Sequence, residues 1–370
     1  MRNVIMMHSV GSLHTIWKEA WLSIDSRQFE TFCSYLSKHQ YRTHYLDHWY
    51  EHEGKDIDKK DLYITFDDGY LDNLLIAYPI MKKYGIKGTV FVNPEFVDPS
   101  SGIRTINTHP SPLGFLNWDE IKFLDSQEEF DIQSHSMSHN YYFCSSTMID
   151  IHDGSDKYHW LAWINRPDRK SFWQDEQQGD YTTKGTPVFE YTRALGCRRY
   201  FPDKNVTERA IALYNEGKNN EEIVKVCTEL IKKYPGRFET DDEMKHRFKY
   251  ELYESKRVLE EKLHKPVNFL CWPGGGYNDA SLEEAPKAGY KASTIASKEA
   301  VSYIDNKGRT YKRIVRYPMS SNIRKGSYIG RSRIAAAKNN YHLVLILKRE
   351  EGDKYWTLLS KIRSLINRFL

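Results

Sequence analysis

Two adjacent carboxylates, Asp67 and Asp68, follow a short apolar segment and stand directly before Gly69. That segment, residues 62–66, alternates in polarity and predicts a strand. In β/α folds, catalytic groups collect at the carboxyl ends of parallel strands. Because neighbouring side chains point in different directions, one carboxylate can bind a metal while the other faces a substrate. Taken alone, Asp-Asp-Gly is also an ordinary turn sequence.

Two histidines four residues apart, His135 and His139, follow another predicted strand at residues 130–133. On a helical turn, or on a loop that leads into one, they project to the same side and can share a metal. Two histidines and one carboxylate form a three-ligand set with an open position, as in catalytic metal sites. The chain has 14 histidines, so this spacing can also arise by chance in a polar loop.

A third motif, WPGGGYN at residues 272–278, also follows an apolar segment that predicts a strand. Glycine has no side chain, so the backbone N–H groups of this loop can approach a ligand closely. Such a loop can supply an oxyanion hole. It is equally suited to a tight turn between a strand and a helix.

The elements around these motifs alternate between strands and helices. Residues 62–66 and 88–92 predict strands, and residues 73–84 between them predict a helix that ends at Gly85. This is a βαβ unit, which implies parallel strands. The alternation stops after His139, and residues 141–240 are interpreted as an insertion into the repeating layout.

The three motifs together resemble the polysaccharide deacetylase family, also called the NodB homology domain or carbohydrate esterase family 4. TFDDGY, SHSMSH and WPGGGYN occur in the family's order, and residues 63–92 are similar to its first βαβ unit. MMHSVG at residues 6–11 resembles the opening element of the poly-N-acetylglucosamine deacetylase branch. The resemblance covers about residues 1–140 and 245–320, and the order of the motifs is more specific than any one of them.

The resemblance implies a distorted (β/α)7 barrel of the α/β class and assigns roles by position. Asp68, His135 and His139 align with the metal ligands, and the implied cofactor is a divalent metal, Zn²⁺ being the first candidate. Asp67 aligns with the catalytic base. Gly274 aligns with the residue whose backbone N–H stabilises the oxyanion.

The sequence departs from the family pattern at two positions. Many members have an arginine that restrains the catalytic aspartate where this chain has Cys271, and Arg316 is a candidate to replace it or to bind a substrate oxygen. An ion-pair arginine is the ordinary alternative for Arg316. Many members also take the catalytic acid from a C-terminal histidine that this chain lacks. The poly-N-acetylglucosamine branch takes it from the N-terminal strand, where His8 matches. Trp272 and Tyr277 are predicted substrate contacts.

Composition indicates the class of protein, its possible partners and its compartment. Of 370 residues, 40% are hydrophobic and 28% are charged, which predicts a folded protein, here one deacetylase domain over residues 1–370. The net charge of +4 is too small to indicate nucleic acid as a partner. The five cysteines form no paired pattern and favour a reducing compartment.

The C-terminal residues 341–370 predict a strand at residues 343–347 and an amphipathic helix at residues 356–370. The helix could rest on a membrane surface, although packing on its own domain is the commoner outcome. No apolar run is long enough to span a membrane, and the N-terminus does not read as a signal peptide. The sequence therefore predicts a cytoplasmic protein with a peripheral membrane contact as an option.

The predicted function is metal-dependent removal of acetyl groups from N-acetylated sugars in a polysaccharide or glycoconjugate, in the synthesis of a surface polysaccharide. Two alternatives stay open at this point. A metal-dependent amidase on a non-sugar amide would use the same acid and base groups. A catalytically inactive carbohydrate-binding protein would explain the missing arginine and histidine, but it would not need all four of the metal-site and base residues. Aromatic residues of the insertion are candidates to line or cover the site: Trp160, Trp163, Trp173, Tyr181 and Tyr191. A packed structural module is an equal alternative for the insertion.

Overall fold

The computed structural model describes residues 3–13, 15, 17, 19–52, 58–295, 302–304, 310–321 and 339–359. Its strands are β1 (Val4–Met7), β2 (Ser9–Val10), β3 (Ser23–Ile24), β4 (Arg42–Thr43), β5 (Asp61–Phe66), β6 (Gly88–Val92), β7 (Phe130–Ser134), β8 (Tyr141–Ile151), β9 (Pro187–Arg193), β10 (Tyr200–Phe201), β11 (Arg237–Phe238), β12 (Phe269–Leu270), β13 (Ala292–Ile295), β14 (Ser302–Ile304) and β15 (Thr310–Pro318). Its α-helices are α1 (Ser26–Lys38), α2 (Leu46–His52), α3 (Tyr78–Tyr84), α4 (Trp118–Asp125), α5 (Trp160–Asn165), α6 (Lys204–Asn215), α7 (Asn220–Lys233), α8 (Asp241–Phe248), α9 (Ser255–Leu263), α10 (Asp279–Lys287) and α11 (His342–Glu350).

Seven strands close into a barrel in the order β1, β15, β13, β12, β7, β6 and β5, and β5 pairs back to β1. Every pairing around this ring is parallel. Val4 on β1, for example, stands between Arg316 on β15 and Tyr63 on β5. The predicted distorted (β/α)7 barrel is confirmed. Because all seven strands run the same way, the residues that follow them meet at one end of the barrel.

The first βαβ unit shows why the sequence folds in this way. All six residues of β5 are buried, as expected for a parallel strand that is covered on both faces. A single π-helical turn, Asn73–Ala77, leads into α3, which ends where Gly85 adopts a left-handed conformation with φ of 64°. The chain then enters β6 and pairs with β5 in parallel.

Residues 141–240 contribute no strand to the barrel in the described structure. They contain a long antiparallel hairpin, β8 and β9, a second short pairing of β10 with β11, and three helices, α5, α6 and α7. Helices α6 and α7 pack on the hairpin around a core that includes Phe189, Val206 and Ile223. A second aromatic cluster joins α5 to loops at the barrel's carboxyl end.

The predicted strand at residues 343–347 is wrong, because this run lies within helix α11. Leu343, Val344 and Leu347 are buried there, at a spacing that places them on one helical face against the core that includes α1. A five-residue apolar run does not distinguish a strand from a buried helix. Residues 354–359 are helical, which covers residues 356–359 of the terminal helix predicted at residues 356–370, and residues 360–370 lie outside the described residues.

Within the described ranges, no helix has both the length and the apolar character needed to cross a bilayer. All five cysteines are unpaired thiols. Their state agrees with the absence of a disulfide pattern in the sequence.

Candidate active site at the carboxyl end of the barrel

The carboxyl ends of the barrel strands bring together the residues that the sequence singled out. Asp67 and Asp68 follow β5, His135 follows β7, and Arg316 lies near the end of β15. His8 follows β1, which pairs with both β5 and β15. Residues as far apart in the sequence as His8 and Arg316 therefore lie close together.

Asp68, His135 and His139 form a compact group of potential ligands. Asp68 Oδ1 lies 3.1 Å from His135 Nε2 and 3.3 Å from His139 Nε2. The three ligand atoms lie within 4.8 Å of one another. His135 Nδ1 is 2.9 Å from the carbonyl oxygen of Cys271, to which it can donate, and this leaves Nε2 of His135 as the acceptor.

Backbone conformation in this group is unusual. Asp68, Ser136 and His139 have φ values of 76°, 61° and 53°, in the left-handed region that residues with a side chain seldom adopt. Such conformations cost free energy and cluster at functional sites. The loop that carries the two histidines is therefore held in its shape by contacts rather than by intrinsic preference.

Arg316 is bound to Asp67 through both of its terminal nitrogens. Nη1 lies 2.6 Å from Asp67 Oδ1, and Nη2 lies 2.9 Å from Oδ2. Nη2 is also 3.0 Å from Cys271 Sγ, at the position where many family members have an arginine. Burial raises the pKa of the Asp67 carboxyl, but the charge and hydrogen bonds of Arg316 outweigh burial and hold the pKa below its usual value.

His8 lies beside the same carboxylate. Its Nε2 is 3.8 Å from Asp67 Oδ2, and its side chain is 19% exposed, so it contacts both Asp67 and the adjoining cavity. Burial lowers the pKa of His8 more than the nearby charges of Asp67 and Asp68 raise it. A histidine of this kind gives up a proton readily once it has been protonated.

Two residues that the sequence did not single out hold the histidine loop. Glu251, which is 1% exposed, accepts hydrogen bonds from the backbone N–H of Ser138, at 3.0 Å, and from its hydroxyl. Lys170 of the insertion is fully buried, and its Nζ donates to the Ser138 carbonyl oxygen at 3.0 Å and pairs with Glu95. No motif marks either residue, because each lies far from His139 in sequence.

We expect Glu251→Ala to loosen this loop. The change removes two hydrogen bonds and leaves a buried N–H without an acceptor, which costs about 1–3 kcal/mol of unfolding free energy. Loss of such support around metal ligands costs about 10–100-fold in metal affinity. Chemical denaturation of the metal-free protein and a zinc competition titration measure the two effects. Glu254→Ala is the matched control, since Glu254 lies on the same helical segment but is 44% exposed and pairs with Arg257. Equal effects of the two variants would contradict this role.

A cavity of about 940 Å³ opens over the site. Its wall includes every site residue that the sequence predicted: His8, Asp67, Asp68, His135, His139, Trp272, Gly274, Tyr277 and Arg316. Gly274 has a φ of 53°, and its N–H has no acceptor among the described residues. The cavity therefore adjoins all nine residues that the sequence selected.

The insertion forms part of the same cavity. Trp163 and Trp173 line it, whereas Trp160, Tyr181 and Tyr191 are not on its wall. Trp160 and Tyr191 pack on each other instead, with ring centroids 4.6 Å apart. Two of these five aromatic residues thus line the cavity, and Trp160 and Tyr191 pack within the insertion.

Comparison with known proteins agrees with this geometry. The polysaccharide deacetylase family model matches residues 54–173 and 237–293, and the unmatched residues 174–236 lie within residues 141–240. The protein YxkH of Bacillus subtilis strain 168, which is named for the same family, is 34% identical over 138 residues. That match covers 37% of this chain and 42% of YxkH, so the chain spans about two fifths of the length of this relative.

Two solved structures share the fold at low sequence identity. A de-N-acetylase from Aggregatibacter actinomycetemcomitans superposes with a TM-score of 0.51 at 15% identity, over 88% of this chain and 97% of that chain. The deacetylase domain of BpsB from Bordetella bronchiseptica gives 0.52 at 13% identity, over 86% and 96%. The family-model match and the barrel geometry lead to one conclusion: the chain contains a polysaccharide deacetylase domain, matched over residues 54–173 and 237–293.

Proposed function

We propose that this protein is a metal-dependent deacetylase that hydrolyses the acetamide of N-acetylated sugars in a polysaccharide or glycoconjugate. The observation that carries the proposal is the pairing of two groups in one cavity. One is a three-ligand set, Asp68, His135 and His139. The other is a separate carboxylate, Asp67, that is held ionised by Arg316. A hydrolase of this type needs both groups.

The ligand set fits a divalent metal such as Zn²⁺. In a tetrahedral site with bonds of 2.0–2.1 Å, two ligand atoms lie about 3.3 Å apart. The Asp68 oxygen stands 3.1 and 3.3 Å from the two Nε2 atoms, close to that spacing. A second cluster, Asp67, His135 and Cys271, is less suitable, because Arg316 occupies both oxygens of Asp67.

Each residue of the site has a separate role in hydrolysis. A divalent metal held by Asp68, His135 and His139 would polarise the acetyl carbonyl and lower the pKa of a bound water. Asp67 takes a proton from the attacking water as the new C–O bond forms. The Gly274 N–H donates to the acetyl oxygen as negative charge develops on it.

His8 completes the reaction as the acid. When the C–N bond breaks, protonated His8 gives its proton to the departing amine of the sugar. One water is consumed, its hydroxyl appears in acetate and its proton ends on the amine or in solvent. His8 can take this role from the N-terminal strand because it shares the cavity with Asp67.

The cavity wall supports a sugar as the substrate. Trp163, Trp173 and Trp272 line the cavity. Aromatic faces stack well on sugar rings. Cytoplasmic location and a part in surface-polysaccharide synthesis stay predictions of the sequence.

Arg316 argues against the alternative that this protein binds carbohydrate without catalysing a reaction. A carbohydrate-binding protein has no need for a buried arginine that holds a carboxylate beside a metal-ligand set. Arg316 occupies the space beside Cys271, so we propose that it replaces the arginine of other family members as the residue that positions Asp67.

We expect Arg316→Met to lower kcat by about 10–100-fold, the usual effect of removing a residue that orients a reacting group. Without the guanidinium, the pKa of buried Asp67 rises, so the acidic limb of the pH–rate profile moves to higher pH. Arg313→Met is the matched control, because Arg313 is a buried arginine on the same strand that contacts the Thr294 carbonyl oxygen. An unchanged pH profile in Arg316→Met would contradict the positioning role.

A substrate panel tests the proposed function. Acetate release is measured with N-acetylglucosamine oligomers of increasing length, with N-acetylated nucleotide sugars and with ring and peptide amides. Turnover confined to N-acetylated sugars supports the proposal. Turnover confined to the other amides would establish the amidase instead, and no turnover by the metal-loaded protein on any of them would favour the binding protein.

A further inference from the structure

Arg193, the last residue of β9, brings a guanidinium from the insertion into the cavity. Its Nη1 donates to Nδ1 of the predicted metal ligand His139 at 3.1 Å. Its Cζ stands 3.7 Å from the ring centroid of Tyr141, so the guanidinium stacks on that ring. No sequence motif includes Arg193, because the hairpin that carries it belongs to the insertion.

The same side chain packs on the glycine-rich loop that follows β12. A Cβ built on Gly274 would lie 2.9 Å from Arg193 Cζ, and one built on Gly276 would lie 2.7 Å from Cγ. Any larger residue at either position would collide with the arginine. The guanidinium therefore stands between His139 on one side and Gly274, the predicted oxyanion donor, on the other.

Arg193 forms no ion pair in the part of the chain that the structure describes. The other two arginines of the cavity wall do, Arg316 with Asp67 and Arg349 with Glu350. A guanidinium offers five N–H donors in a planar fork, and the bond to His139 uses one of them. The fork matches the paired oxygens of a carboxylate and the developing charge of an acyl oxygen.

We propose that Arg193 is a catalytic residue that the insertion supplies: its guanidinium donates to the acetyl oxygen as that oxygen becomes anionic, and then to the acetate product. This inference rests on the proposed deacetylase function. It gives the insertion a part in the chemistry, since the Gly274 N–H and Arg193 contact the same oxygen from adjacent positions. The reaction is otherwise unchanged: the C–N bond breaks, and the water oxygen enters acetate.

Arg193 contacts a predicted metal ligand but is not itself a member of the ligand set Asp68, His135 and His139. Its removal should therefore leave metal affinity unchanged.

The test compares Arg193→Met and Arg193→Lys with Arg199→Met in the metal-loaded protein. Arg199 is the matched control, because it is another insertion arginine stacked on a tyrosine, at 4.2 Å from the Tyr142 ring centroid, but it does not line the cavity. Three quantities are measured: kcat and KM on N-acetylglucosamine oligomers, zinc affinity by chelator competition, and acetate affinity by titration of the cobalt-substituted protein.

We expect Arg193→Met to lower kcat by about 100-fold with little change in KM, as for loss of one oxyanion donor. Acetate affinity should fall at least about tenfold, which corresponds to a charge-assisted pair, while zinc affinity does not fall. Arg193→Lys should recover part of the loss, and Arg199→Met should match the wild type.

Three results would overturn the inference. Wild-type kcat and acetate affinity in Arg193→Met would exclude contact with the acetyl oxygen. Weaker zinc binding in step with lower kcat would assign Arg193 a structural role. An effect confined to KM would assign it to binding of the sugar rather than to the acetyl oxygen. If the wild type deacetylates no sugar, the proposed function fails, and the acetate titration still tests Arg193 by itself.

Discussion

Replacing Asp67 with asparagine should nearly abolish hydrolysis while the protein still binds its metal. Asparagine fills the same space but cannot accept a proton at neutral pH, so the attacking water keeps its proton. Loss of a general base costs about 10²–10⁴-fold in kcat, which is about 3–5 kcal/mol in the activation barrier. Metal binding is preserved because the ligand set is Asp68, His135 and His139, without Asp67.

The matched comparison is Asp68→Asn, one residue along the chain. That change weakens a ligand, so it should reduce zinc content and activity together. Zinc per chain and acetate release are measured on both variants after removal of loosely bound metal. Near wild-type turnover in Asp67→Asn would show that another group is the base. Loss of zinc in Asp67→Asn would move this residue into the ligand set.

His135→Ala is expected to have the second large effect, loss of both metal and activity. His135 is 1% exposed, and its Nε2 lies 3.1 Å from Asp68 Oδ1, inside the ligand set. With two ligands left, zinc binding is too weak to survive dialysis. Acetate release should fall with it by at least about 10³-fold, since water activation and carbonyl polarisation are lost together.

His159→Ala is the control for this variant. His159 lines the same cavity and stacks on Trp173, with ring centroids 5.1 Å apart, but it is not in the ligand set. We expect it to keep its zinc and to lose little of kcat. If His135→Ala retained stoichiometric zinc, the assignment of the ligands would be wrong, even if its activity were low.

The barrel and the grouping of the site could be predicted from the sequence for a physical reason. Parallel strands that are buried on both faces produce short continuous apolar runs, and polar residues that follow such runs are easy to recognise. Asp67, His135 and Gly274 all stand in that position. Since parallel strands end at the same side, the sequence indicated that they would meet. The role of each residue still rests on the family resemblance and on the proposals made above.

Contacts between distant segments could not be predicted. Arg193 reaches the cavity on a hairpin, Glu251 reaches Ser138 from a helical segment, and Lys170 is a buried cation in a region without periodicity. None of the three has a local pattern that marks it, because each gains its partner only when segments distant in the sequence pack together. The prediction of a strand at residues 343–347 was wrong because a short apolar run indicates burial but does not distinguish a strand from a helix.

The central claim is that acetyl groups are hydrolysed at a single metal site formed by Asp68, His135 and His139. The most direct test is a titration of the chelator-treated protein with Zn²⁺, in which bound metal and acetate release from N-acetylglucosamine oligomers are followed in the same samples. We predict no acetate release without metal, and a linear rise in activity that stops at one zinc per chain. Full acetate release by the metal-free protein would contradict the account.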